Sequence, residues 1–213
     1  MRLYLSSFRN GDHPEELLKL LGNRRHTAVI FNAVDFKPAA DRATDYAAEA
    51  ERLKSIGLEP TEVDLRLYFG KADALKKKLG EFDLMWVRGG NAFVLRRAFK
   101  QSGADTAITE LLEEDKIVYG GYSAGIDMLT PSLHGVELVD DPQIIPEGYN
   151  SEIIWECLGL LPHAVAPHYK SDHPESADVD KSIEYLIDNH IPFIALRDGE
   201  AIVVNGDQQK VIG

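Results

Sequence analysis

The residues best placed to do chemistry in this chain lie in Gly121-Tyr122-Ser123-Ala124-Gly125. They fit G-x-S-x-G, the sharp strand-to-helix turn that lifts a serine hydroxyl clear of a sheet. Such a turn holds the serine backbone in a strained conformation. It also brings the residues two before and two after it so close that neither can carry a Cβ. The apolar run Ile117-Val118-Tyr119 supplies the buried strand that the motif requires. The expected chemistry is attack by Ser123 on a carbonyl carbon. The N–H of Ala124, at the start of the next helix, faces the negative charge that develops on the carbonyl oxygen. The bland alternative is a Gly-rich turn with an incidental serine, so the rest of the apparatus decides.

That apparatus needs a second oxyanion donor, a base and an acid. Gly89-Gly90-Asn91 follows one expected strand and opens a helix, so its N–H groups can form an anion-binding nest with Gly90 as the donor. A plain tight turn accounts for the two glycines equally well. No Walker lysine and no G-x-G-x-x-G accompany them, which leaves nucleotide readings weak. Seven histidines compete for the base. His168, in Ala166-Pro167-His168-Tyr169, sits where a short strand should end, and a serine nucleophile needs a base within hydrogen-bond reach. His163 follows an apolar stretch. His173-Pro174-Glu175 superficially resembles the catalytic His-Pro-Glu of class I glutamine amidotransferases, but it follows a polar segment rather than an apolar strand. For the acid, Glu137, Asp140 and Asp141 all fall in the loop after the elbow helix. Cys157 reads as a small core residue. No cluster of His, Cys and carboxylates has metal-ligand spacing, so neither a metal nor a cofactor is expected.

The elements that must hold these groups alternate. Strands are expected at 2–5, 26–31, 61–65, 82–87, 117–119, 164–166, 193–196, 201–204 and 209–212, the last two joined by Asn205-Gly206 as a C-terminal hairpin. Helices are expected at 14–21, 38–56, 71–79, 92–102, 105–114 and about 179–187 from the 3.6-residue recurrence of apolar positions. A short strand is possible on pattern at 136–139, and 153–161 is apolar without choosing between helix and strand. This alternation implies an α/β, doubly wound, mainly parallel sheet with helices on both faces, as a single domain over 1–213. Active groups in such folds gather beyond the carboxyl ends of the strands. The segment 88–91, Ser123 and His168 all fall there.

Composition narrows the setting. With 23 basic against 35 acidic residues the net charge is −12, and no basic stripe offers itself to a phosphate backbone, so no nucleic-acid partner is expected. The single cysteine excludes an internal disulfide framework and fits a reducing compartment. No apolar run approaches a membrane span and the first ten residues lack signal-peptide character, so the expected location is cytoplasmic, without a membrane partner. A homodimer is left open.

Taken together, these residues resemble the dipeptidase E (aspartyl dipeptidase) and cyanophycinase family of serine peptidases. The matching stretches are Val87-Arg88-Gly89-Gly90-Asn91-Ala92-Phe93, Gly121-Tyr122-Ser123-Ala124-Gly125, Leu158-Gly159-Leu160-Leu161-Pro162, Pro167-His168-Tyr169 and Asp198-Gly199-Glu200-Ala201-Ile202. The resemblance implies a class I glutamine amidotransferase-like fold, Ser123 as nucleophile, His168 as base, and the Gly90 and Ala124 amides as oxyanion hole. It places the acid in the loop before the Leu158-Gly159-Leu160 segment, where Asp140 matches best. The family's aspartate-clamping arginine has no counterpart in 176–182, which holds only Lys181. The resemblance therefore implies a broader peptidase acting on small peptides rather than strict aspartyl specificity. An amidase or esterase with the same apparatus, and a non-catalytic module that keeps the elbow as scaffold, are the competing functions.

Overall fold

The computed structural model describes residues 1–213. Nine strands form: β1 (Arg2–Ser6), β2 (His26–Ile30), β3 (Glu59–Glu62), β4 (Leu84–Val87), β5 (Val118–Tyr122), β6 (Ala164–Ala166), β7 (Phe193–Ala195), β8 (Ala201–Asn205) and β9 (Gln208–Ile212). Seven helices accompany them: α1 (Pro14–Leu21), α2 (Ala39–Ser55), α3 (Ala72–Leu79), α4 (Ala92–Ser102), α5 (Ala104–Glu113), α6 (Ala124–Asp127) and α7 (Ser176–Asp188). No helix is long and apolar enough to cross a membrane.

Seven strands make one sheet in the order β3-β2-β4-β5-β1-β8-β9. The five from β3 to β1 are parallel, and β8 and β9 add the antiparallel hairpin edge. Strand β4 shows how the period of two sorts side chains. Met85 and Val87 join the larger core with α3, α4 and α5, while Leu84 and Trp86 join the smaller core with α1 and α2. Both faces are thus covered, as a central parallel sheet requires, and the carboxyl ends of β1, β2, β4 and β5 open onto one edge. The cap of α4 is local chemistry: the Asn91 side chain accepts the Val94 N–H at 2.9 Å, and Gly103 at φ 77° ends the helix.

Three expectations shift. The third strand lies at Glu59–Glu62, because Asp64 accepts the Arg66 N–H and starts a 3-10 turn at Leu65–Tyr68. Val136–Leu138 is also a 3-10 turn rather than a strand. The apolar segment 153–161 forms neither helix nor strand. Its N–H groups bond instead to the loop after α6, as from Leu158 to the Met128 carbonyl at 3.0 Å and from Leu161 to Leu129 at 2.9 Å.

Strands β6 and β7 leave the main sheet and pair with each other, in parallel. Adjacent parallel strands deliver the residues that follow them to the same place. Here those residues are His168 and Asp198.

Candidate active site

Ser123 occupies the turn between β5 and α6 at φ 50° and ψ −124°, a conformation that costs a non-glycine residue about 1–3 kcal/mol. The neighbouring strand shows why the flanking residues are glycines. A Cβ on Gly121 would lie 2.6 Å from the Val87 carbonyl oxygen, and one on Gly125 closer still. Both glycines therefore straddle the last carbonyl of β4. Tyr119 adds a clamp, donating its hydroxyl to the Gly125 carbonyl at 2.5 Å. Because α6 is one turn long, little macrodipole accumulates, and the Ala124 N–H acts as an individual donor.

The turn after β4 faces the serine. A Cβ on Gly89 would come within 2.8 Å of Ser123 Cβ, and one on Gly90, which sits at φ 139°, would come within 2.8 Å of the Ala33 carbonyl oxygen. The Asn91 N–H bonds to Ala33 at 2.9 Å, whereas the Gly89 and Gly90 N–H groups take no partner within the fold. Gly90 and Ser123 line a common cleft of about 580 Å³.

His168 is 1% exposed and held from several directions. Its Nδ1 lies 2.7 Å from Asp198 Oδ1, so Nδ1 carries the proton and Nε2 offers a lone pair. Ser7, just past β1, accepts the His168 backbone N–H at 2.8 Å and donates its hydroxyl to Asp198 Oδ1 at 2.8 Å. The Asp198 N–H in turn reaches Ser171 Oγ at 2.8 Å. His168 also adopts a positive φ of 61°. Burial holds its imidazole below the ordinary histidine range, outweighing the pull of Asp198 toward the charged form. A neutral, oriented imidazole is the state that can accept a proton. Ser123 and His168 share the cleft without a direct hydrogen bond between them, a looseness common before substrate is bound.

A model of peptidase family S51 matches residues 5–212. The chain belongs to peptidase family S51. Among curated S51-like relatives, Peptidase E of Streptomyces coelicolor is 32% identical over 156 residues, covering 71% of this chain and 60% of that protein. A Drosophila melanogaster protein named as a probable alpha-aspartyl dipeptidase is 29% identical over 143 residues, 65% of this chain and 56% of that one. The chain thus spans less than two thirds of the length of these relatives. A crystal structure of a candidate Peptidase E protein from Listeria monocytogenes EGD-e has the same fold, with a TM-score of 0.78 at 24% identity, covering 99% of this chain and 97% of that one. A peptidase from an acI-B1 Actinobacterium shares it at TM-score 0.68 and 16% identity, covering 100% and 87%.

In this S51 chain the carboxylate on His168 Nδ1 is Asp198, and the three expected acids are engaged elsewhere. Asp140 accepts the Ala92 N–H at the start of α4 at 2.7 Å. Glu137 caps the Gly135 N–H at 2.6 Å, and Asp141 caps the Gln143 N–H at 2.8 Å. The physical reason is that the loop after α6 folds against the N-terminus of α4, while β7 runs beside β6. The signal for Asp198 was available: it opens an Asp-Gly turn just after an expected strand, as Ser123 and His168 follow theirs. Ser7 carried no comparable signal.

Two further groups enter the site. The His173 ring stacks on His168 at 3.7 Å and 6°, with Phe8 edge-on to both. Glu175 Oε2 lies 3.9 Å from His168 Nε2 and 3.8 Å from His173 Nδ1. The three form a grouping of ligand-type atoms that sequence spacing did not reveal. Rings stacked in parallel cannot both aim in-plane lone pairs at one ion, so this arrangement does not favour a metal. Ser123, Asp140, His168 and Glu175 also line a recess of about 30 Å³ beside Asp127. Burial pushes Asp140 up to about 7 and raises Asp127 well above the carboxylate range, with the neighbouring acids adding to both. Cys157 lies outside the site, its thiol pushed up to about 12 by burial.

Proposed function

We propose that this chain is a serine peptidase acting on short peptides, with Ser123 as nucleophile, His168 as base and Asp198 as the acid that orients it. The observation that carries this reading is the 2.7 Å bond from His168 Nδ1 to Asp198, in a cleft shared with a strained serine. His168 Nε2 takes the Ser123 proton as Oγ attacks the peptide carbonyl. The Gly90 and Ala124 N–H groups receive the oxyanion, and His168 then protonates the leaving amine. Water repeats the sequence on the acyl-enzyme. Membership of family S51 and likeness to Peptidase E support peptides as the substrates.

The recess beside Ser123 suggests how a peptide is oriented. It is walled by Asp127, Asp140 and Glu175 and lined by no lysine or arginine. A substrate's free α-ammonium is the natural complement, since its charge would favour ionisation of acids that burial otherwise holds toward the neutral form, and at about 30 Å³ the recess has room for little more. The enzyme would then release N-terminal residues. The single, inert cysteine suits a reducing, cytoplasmic setting.

The reading is tested by incubating the protein with a fluorophosphonate probe and with a library of free and N-acetylated dipeptides. Labelling confined to Ser123 and hydrolysis of the unblocked peptides are expected. A folded protein that neither labels nor cleaves would leave the elbow as scaffold.

A further inference from the structure

Beyond the acidic recess, the cleft is lined by cations that the recess lacks. Arg9, Lys37, Arg52 and Arg88 line the cleft, and none of them lines the recess. The cleft also holds Asp45, Glu49, Asp140, Asp141 and Glu175, so what marks a cation here is whether a carboxylate is left to pair with it.

Arg88 is the most constrained of the four. It immediately precedes the Gly89-Gly90 turn, and its guanidinium lies 4.8 Å over the Phe31 ring, a cation–π contact that holds the group in place. Nη1 donates to the Gly89 carbonyl at 2.9 Å, and Nη2 stands 3.7 Å from Asp45 Oδ2, too long for a hydrogen bond. That same Asp45 oxygen is already bound by Lys37 at 2.7 Å. Two cations therefore share one carboxylate. Half-buried and in excess by one positive charge, the pair lacks a second anion. Arg52 differs, because it is paired with Glu49, and Arg9 differs in being exposed.

We infer that Arg88, assisted by Lys37, binds the α-carboxylate of the residue on the leaving side of the scissile bond and so selects peptides that end there. This rests on the peptidase reading above. Arg88 presents planar donors to a carboxylate, Lys37 adds a point charge, and Asp45 keeps both side chains in place when no substrate is bound. The ammonium of the substrate in the acidic recess and its carboxylate at Arg88 would place the one peptide bond between them over Ser123.

The test compares dipeptides X-Ala with their C-terminal amides X-Ala-NH2, where X is Asp, Met or Leu. The wild-type enzyme is expected to prefer each free acid over its amide by about tenfold or more in kcat/KM. Arg88→Met should lower kcat/KM for the free acids by about tenfold to a hundredfold, mainly through KM, and leave the amides within about threefold. Arg88→Lys should recover part of the loss, and Lys37→Met should act in the same direction with a smaller effect. Equal losses on acids and amides in Arg88→Met would overturn the inference and make Arg88 a support for the neighbouring turn. Equal wild-type rates on acid and amide would overturn it too, with peptidase activity intact. Failure of the folded wild-type protein to cleave either series would instead remove the peptidase reading on which the inference rests.

Discussion

His168 and Asp198, thirty positions apart in the chain, meet at 2.7 Å because each follows one of two short parallel strands that pair only with each other. The imidazole is thereby fixed as the Nδ1–H tautomer, with Nε2 turned to the cleft. Asp198→Asn preserves the shape of this contact but removes the charge that stabilises an imidazolium. A fall in kcat of about 10³–10⁴ is expected, with a much smaller change in KM. Steady-state kinetics on a dipeptide check it. A variant retaining a tenth or more of wild-type kcat would remove Asp198 from the mechanism.

Ser123→Ala should fold normally, since alanine asks no more of the positive φ than serine does. Hydrolysis should drop by several powers of ten, leaving only what binding and the oxyanion donors supply. Far-UV circular dichroism verifies the fold alongside the assay. Residual activity within about tenfold of wild type, a mere ~1.4 kcal/mol, is too much for a missing covalent nucleophile.

The pH profile follows from the direction of the His168 shift. His168 acts as a base only when neutral, so kcat/KM should rise with pH through its titration. Burial places that acid limb below the ordinary histidine value of about 6.5. Asp198 pulls the same pKa upward, so Asp198→Asn should move the limb to still lower pH while depressing the plateau. A limb that moves upward in this variant contradicts the assignment.

Asp140 makes a separate prediction about stability. Its carboxyl is pushed up to about 7 in the folded chain and titrates near 4 when unfolded. Between those values the folded state binds more protons, so this group's contribution to stability falls as pH rises from about 4 to 7. Asp140→Asn keeps an acceptor for the Ala92 N–H and removes that dependence. Thermal melts should show the variant gaining Tm at pH 8 relative to wild type, with little difference at pH 4. If the recess holds the substrate's ammonium, the same variant should raise KM for unblocked dipeptides more than it lowers kcat, the reverse of the Asp198→Asn pattern.

Gly125→Ala tests the elbow's packing. The new Cβ would collide with the Val87 carbonyl, main-chain atoms of the sheet that cannot swing aside as a flexible side chain could. Destabilisation by about 2 kcal/mol or more is expected in urea melts, from overpacking in a close-packed interior.

The sequence by itself determined most of what is local. The elbow around Ser123, the Gly89-Gly90-Asn91 turn, the helices at Pro14–Leu21 and Ala92–Ser102, and the placement of His168 after a strand all rest on spacing along a few residues. Such features are legible because glycine, asparagine and alternating apolar positions act within one turn or strand. Tertiary structure decided the rest. Which carboxylate reached His168 depended on β6 and β7 pairing outside the main sheet, and on the loop bearing Asp140 closing over α4. The stacking of His173, the bridge by Ser7 and the sharing of Asp45 by Lys37 and Arg88 are likewise meetings of distant segments. Nothing in the local pattern of any one segment specifies its partner, because those contacts follow from which strand lies beside which and how the loops at their ends pack.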